Sequence, residues 1–175
     1  VPIKPWLFVN RLSRLVIDPE RFPDEREEMN AAGMGAVYTR TSHGARLRPD
    51  DPAHAEALLE AYFHPYAAAL TALVDGRLAA TGRAVILDVH SYPSEPLPYE
   101  LHAAGPRPEI CLGSEERHTP GWLRSAAEVA FGGVERGWDS PFAGTYVPLA
   151  HYGVEPRLTS LMVEIRRDVY AASEG

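Results

Sequence analysis

Asp88 and His90 stand two residues apart at the end of the apolar run Ala84-Val85-Ile86-Leu87. Gly82 precedes the run and Pro93 follows it, so it reads as a buried central strand of an α/β sheet. Side chains alternate between the faces of a strand, which puts the carboxylate and the imidazole on one face and Val89 on the other. Both lie at the C-terminal end of the strand, where open α/β sheets bind ligands. The pair is either a hydrogen-bonded core histidine with its acceptor or part of a reactive site. Glu164 interrupts a second apolar strand, Leu161-Met162-Val163-Glu164-Ile165. A carboxylate is rarely fully buried unless paired, so Glu164 either pairs with an arginine such as Arg166 or lines a site. Arg14 and Arg21 flank Asp18 in a proline-bound loop, which suits two-point capture of a carboxylate and equally a surface ion pair.

These residues are spread over the chain, and no compact motif joins them. HExxH, HxxE, a CxxC pair, GxxxxGK[ST] and GxSxG do not occur. The elements that must position them alternate between strand and helix patterns, which says α/β. Leu7 to Val9 and Ala36 to Arg40 read as strands, and Glu25 to Ala32 as a short helix closed by Gly33. Asp50 and Asp51 cap the longest helix, with Pro52 in its first turn. Its stripe is Leu58, Leu59, Tyr62, Tyr66, Leu70 and Leu73, and Pro65 must kink or divide it. His54 and His64 on this helix read as surface or packing residues.

Between Tyr92 and Pro108 lies a proline-rich stretch without periodicity, long enough to be a functional loop. Glu109 to Gly113 is a short strand. A helix follows His118-Thr119-Pro120 and ends at Gly132-Gly133, and Val134 to Trp138 is a further short strand.

With 175 residues, 45% hydrophobic and 23% charged, the chain has the size and composition of one globular domain. The net charge of −7 argues against nucleic acid and anionic membrane as partners, while local arginines can still hold a small anionic substrate. A single cysteine, Cys111, fits a reducing cytoplasm. The sequence opens without methionine at Val1-Pro2-Ile3 and enters a strand-like run almost at once, so a segment upstream of Val1 is expected. Oligomeric state is not encoded in any pattern.

Several stretches together resemble the N-formylglutamate amidohydrolase family. They are Ser13-Arg14-Leu15-Val16-Ile17-Asp18-Pro19-Glu20-Arg21-Phe22, Gly33 to Thr41, Asp88-Val89-His90-Ser91, Arg107 to Gly113, His118-Thr119-Pro120, Pro141 to Leu149 and Met162 to Asp168, in family order. The resemblance implies a single three-layer domain with a mixed, mostly parallel central sheet flanked by helices, related to the zinc carboxypeptidases. It implies zinc held by His90, Glu164 as general base, Arg21 with Arg14 on the substrate carboxylates, and Asp88 orienting a ligand. His118 and Tyr146 fall in loops that border the substrate.

Glu20 departs from the asparagine that many members carry before the arginine, a change that bears on anion capture. Relatives take further ligands from an N-terminal Pro-His-type motif that these residues lack, so the metal site is expected to be incomplete here. His102, His118 and His151 are the first alternatives as ligands. The expected reaction is release of formate from N-formyl-L-glutamate or a related N-acyl amino acid. The alternatives are a peptidase or amidase on carboxylate-terminated peptides or cell-wall fragments, and a non-catalytic carboxylate-binding domain.

Overall fold

The computed structural model describes residues 4–101 and 103–171. It divides into two compact units, Val1–Ala72 and Leu73–Gly175. No helix among the described residues is long and apolar enough to cross a membrane.

The first unit is mostly irregular. Its core joins Ile17, Ala36 and Phe63, with Val37, Leu58, Leu59 and Ala67 packed around them. A 3₁₀ turn, Glu28–Ala32, ends on Gly33 at φ 70°, where glycine meets no Cβ penalty. The strand expected over Ala36 to Arg40 does not form. Single bridges pair Met34 with Tyr38 and Arg40 with Arg46, and the N–H groups of Thr39 and Arg40 both return to the Gly33 carbonyl. A chain reversed so tightly has no length over which to build a ladder. Leu7 to Val9 is not a strand either. Leu7 and Val9 are exposed, and Phe8 meets Tyr66 edge-to-face at 5.0 Å. A strand-like composition without a neighbouring backbone partner stays a loop.

Helix α1, Pro52–Leu58, is capped by Asp51, whose Oδ1 accepts from the N–H groups of Ala53 and His54. A π-helical turn, Leu59–Phe63, separates it from α2, His64–Thr81. Pro65 has no N–H to donate to the previous turn, and the widened register just before it absorbs that loss. The buried face shifts accordingly. Phe63, Leu70, Val74 and Leu78 are buried, whereas Tyr62, expected in the stripe, is exposed.

The second unit holds a four-stranded sheet in the order β1-β4-β2-β3. The strands are β1 (Ala84–Tyr92), β2 (Ile110–Gly113), β3 (Arg136–Trp138) and β4 (Leu158–Arg166). β1 runs parallel to β4, β3 parallel to β2, and β2 antiparallel to β4. The sheet is therefore mixed and mostly parallel, as expected. Helix α3, Gly121–Ala130, covers one face through Leu123 and Ala127 against Ile110, Leu112, Leu161 and Val163. On the other face Val74 and Leu78 of α2 pack against Ala84, Ile86, Val147 and Leu158.

The expectation of a central, doubly buried β1 needs correcting. β1 lies at the edge of the sheet as described, and Val85, Leu87 and Val89 on its α3-side face are 46%, 61% and 65% exposed. Hydrophobic runs report strand character and leave position in the sheet undecided. The centre belongs to β2 and β4, where Leu112 and Leu158 are wholly buried. Leu112→Ala removes a side chain from the middle of the α3 cluster and is expected to cost about 2–5 kcal/mol in chemical denaturation.

Candidate active site

Parallel pairing of β1 with β4 fixes the site. The register sets Asp88 beside Met162 and His90 beside Glu164. The antiparallel neighbour then places Cys111 opposite Glu164. Paired residues project to the same side, so Asp88, His90, Glu164 and Cys111 share the face that α2 covers lower down. Sequence periodicity predicted the shared face of Asp88 and His90. That Glu164 lies directly across from His90 required knowing which strands pair.

Asp88 and His90 are in direct contact, Oδ1 to Nε2, at 2.7 Å. A carboxylate oxygen accepts, so Nε2–H of the imidazole is the donor in this contact. The other oxygen, Oδ2, accepts the backbone N–H of Tyr146 at 3.2 Å. Both groups are partly buried, with side-chain exposures of 12% for Asp88 and 21% for His90. The structure therefore makes Asp88 an orienting partner of His90, held from its far side by a loop.

The pairing alternative for Glu164 is not realised with Arg166. That guanidinium bonds Asp168 at 2.8 Å and the Arg107 carbonyl, and faces Glu135 at 3.9 Å. Beside Glu164 on this face stand His90 on one neighbouring strand and Cys111 on the other. Burial pushes the Cys111 thiol up, and the charge of Glu164 adds to that rise. Burial likewise pushes the Tyr92 phenol up to about 12. Both groups are neutral near pH 7.

Tyr146 and His118, the two residues expected beside the substrate, both make hydrogen bonds within the second unit. Tyr146 meets the site through its backbone N–H on Asp88. His118 is buried, with both ring nitrogens engaged. Nδ1–H donates to the Leu158 carbonyl at 2.8 Å, and Nε2 accepts the Gly153 N–H at 2.8 Å. It ties the 148–157 loop to the start of β4. His151 faces Asp75 at 2.9 Å, and His102 lies outside the described residues.

The proline-rich segment after β1 is clipped to itself. Arg107 bonds Glu100 at 2.6 Å and the Pro93 carbonyl at 2.8 Å, and its guanidinium stacks over Tyr92.

In the first unit, the acid between the two arginines, Asp18, is a buried hub rather than half of a surface ion pair. It is 1% exposed and accepts the Tyr38 hydroxyl at 2.6 Å. Arg14 and Arg21 approach the same Oδ2, each by Nε at 3.5 Å. Arg21 also faces buried Glu27 at 3.6 Å. Glu27 itself clasps the loop, accepting the N–H groups of Phe22 and Met29 at 3.0 Å. Arg21 thus hangs between two buried acids at ion-pair rather than hydrogen-bond distance, its forked donors aimed but unspent on either. Burial and the Asp18 charge raise the Tyr38 phenol, which stays a donor. Glu20, the departure from the family pattern, accepts the Tyr66 hydroxyl at 3.3 Å.

Three participants escaped sequence reasoning. Wholly buried Ser160, buried Thr119 and half-buried Thr145 form a hydrogen-bonded set on β4 and the loops beside it. The signal was present in Thr159-Ser160, two hydroxyls inside the otherwise apolar β4.

A mixed α/β sheet with an imidazole and two carboxylates on one face at its strand ends has the make-up of a hydrolase. The chain belongs to the N-formylglutamate amidohydrolase family, whose model matches residues 4–171. It is similar to the crystal structure of an N-formylglutamate amidohydrolase from Ralstonia eutropha JMP134, with 25% identity and a TM-score of 0.69 over 91% of this chain and 63% of that one. A gene product of Agrobacterium tumefaciens shares the fold at 21% identity, with a TM-score of 0.68 over 93% of this chain and 61% of that one. The chain therefore spans less than two thirds of the length of either structure. No curated protein matches it.

Proposed function

We propose that this chain carries the reaction centre of a metal-dependent amidohydrolase that releases formate from N-formyl-L-glutamate or a closely related N-acyl amino acid. The observation that carries the reading is the register that sets His90 beside Glu164, with Asp88 bonded to the far side of the imidazole.

The His90 imidazole fits a zinc ion as one of its donors, with the remaining ligands to come from elsewhere. Imidazole and carboxylate oxygen are ordinary zinc donors, and a ligating histidine normally gives its second nitrogen to a carboxylate, as His90 gives Nε2 to Asp88. His90 would be its imidazole ligand. When bound, the metal polarises the formyl carbonyl and makes water a competent nucleophile near neutral pH.

Glu164 accepts the proton of the attacking water at a carboxylate oxygen and passes it to the nitrogen of the departing amine. Across the strand from it lies Cys111, whose thiol burial keeps neutral near pH 7, so no second charge from that position competes for the proton. Asp88 keeps the His90 ring in one tautomer and one orientation. Carboxylate recognition is assigned to Arg21, with Arg14 beside it, because a guanidinium fixed by two acids presents its planar fork without losing rotamer freedom on binding. His118 acts by securing the 148–157 loop.

A substrate panel tests this assignment against a peptidase. N-Formyl-L-glutamate is expected to be cleaved far faster than its diamide, which lacks both carboxylates, and than a dipeptide with a free C-terminus. Peptide cleavage at an equal or greater rate overturns the assignment in favour of a peptidase.

A further inference from the structure

Ser160 lies on β4, buried completely, and is the joint of a hydrogen-bond chain that ends at His90. Its hydroxyl donates to the Tyr146 carbonyl at 2.7 Å. That uses its one proton, so the Thr145 hydroxyl, 2.7 Å away, donates to the Ser160 oxygen. The same Thr145-Tyr146 segment turns the Tyr146 N–H onto Asp88 Oδ2 at 3.2 Å, and Asp88 Oδ1 holds His90 Nε2 at 2.7 Å. The backbone of Ser160 is fixed just as firmly. Its N–H reaches the His118 carbonyl at 2.8 Å, and its carbonyl accepts the Thr119 hydroxyl at 2.8 Å.

We propose that Ser160 is a positioning residue for the metal-binding histidine. It mounts the Thr145-Tyr146 segment on β4, and that segment sets the Asp88 carboxylate against His90. Resting on the metal-site reading given above, the proposal extends it to residues three steps removed from the ion. Without the Ser160 hydroxyl, the Tyr146 carbonyl and the Thr145 hydroxyl both lose this partner in a half-buried place. The peptide between them then has no fixed orientation, and Asp88 loses the N–H that holds its second oxygen. Groups that orient metal ligands typically contribute 10–100-fold to metal affinity.

Zinc affinity measured by competition with a chromophoric chelator, together with the ring resonances of His90 in the metal-free chain, tests this. Asp88→Asn is expected to weaken zinc by about 10–100-fold. Ser160→Ala should weaken it by about 10-fold and shift the His90 ring resonances, with Thr145→Val smaller in the same direction. The double variant Asp88→Asn with Ser160→Ala should bind no more weakly than Asp88→Asn alone, since both act through one carboxylate. Leu112→Ala, destabilising from the opposite sheet face, should leave zinc affinity and the resonances unchanged. Equal losses of zinc in Ser160→Ala and Leu112→Ala would reduce Ser160 to a structural role. Unmoved His90 resonances in Ser160→Ala overturn the proposal outright. If Asp88→Asn keeps full zinc affinity, the metal reading has failed, and the resonances alone then decide whether Ser160 acts on His90.

Discussion

Glu164→Gln is expected to abolish formate release, by at least ~10²-fold, while the chain keeps its fold and its thermal transition. Glutamine has almost the same shape and fits between Val163 and Ile165, but it cannot take a proton from water. The expected loss falls on kcat, with KM little changed, because the carboxylate acts on the reacting atoms. The sheet face itself predicts that the variant folds. Arg166, the arginine nearest in sequence, bonds Asp168 and the Arg107 carbonyl, so removing the Glu164 charge does not strip that guanidinium of its partners. A near-normal rate in Glu164→Gln removes Glu164 as the base. Unfolding instead would return the residue to a structural role.

Arg21→Ala is expected to raise KM for the dicarboxylate substrate by roughly 30-fold, about 2 kcal/mol. The figure is the low end for a truncated charge pair because Arg21 is 28% exposed and partly screened. Arg21→Lys keeps the charge and loses the planar fork, so it should fall between the two. Asp18 and Glu27 also lose a counter-charge in these variants, so some stability is lost too. The diamide substrate separates the effects, since a defect in carboxylate recognition spares it and a defect in folding does not. Identical kinetics in all three proteins would leave Arg21 as an ion-pair partner of Asp18 and Glu27 only.

The strand and helix character of the second unit was legible because its cause is local. Short continuous apolar runs marked β1, β2 and β4, and the glycine pair at Gly132-Gly133 marked the end of α3. Position within the sheet was not legible. β1 looks more hydrophobic than β2, yet β1 lies at the edge and β2 inside, because pairing order depends on contacts far apart in sequence. The first unit misled for the opposite reason. Leu7 to Val9 and Ala36 to Arg40 have strand composition, but a ladder needs a neighbour, and Gly33 turns the second stretch back on itself.

At the candidate site, Asp88, His90 and Glu164 carried their signal as polar residues inside apolar strands. In the first unit, the ion pairs of Arg14 and Arg21 with Asp18 were legible as opposite charges in a proline-bound loop. His118 showed that a loop histidine beside Thr-Pro can be wholly occupied with backbone, a role that depends on a carbonyl 40 residues away at Leu158. Ser160 drew no attention because a serine in a strand is ordinary until its two partners are seen.

The central claim is that His90, oriented by Asp88, holds a metal on which hydrolysis depends. Formate release from N-formyl-L-glutamate, followed through chelation and stepwise return of zinc with His90→Ala in parallel, tests it most directly. The account predicts that activity vanishes on chelation, returns in proportion to bound zinc, and stays absent in His90→Ala at every zinc concentration. Undiminished formate release after complete metal removal, or full zinc-dependent activity in His90→Ala, would contradict it.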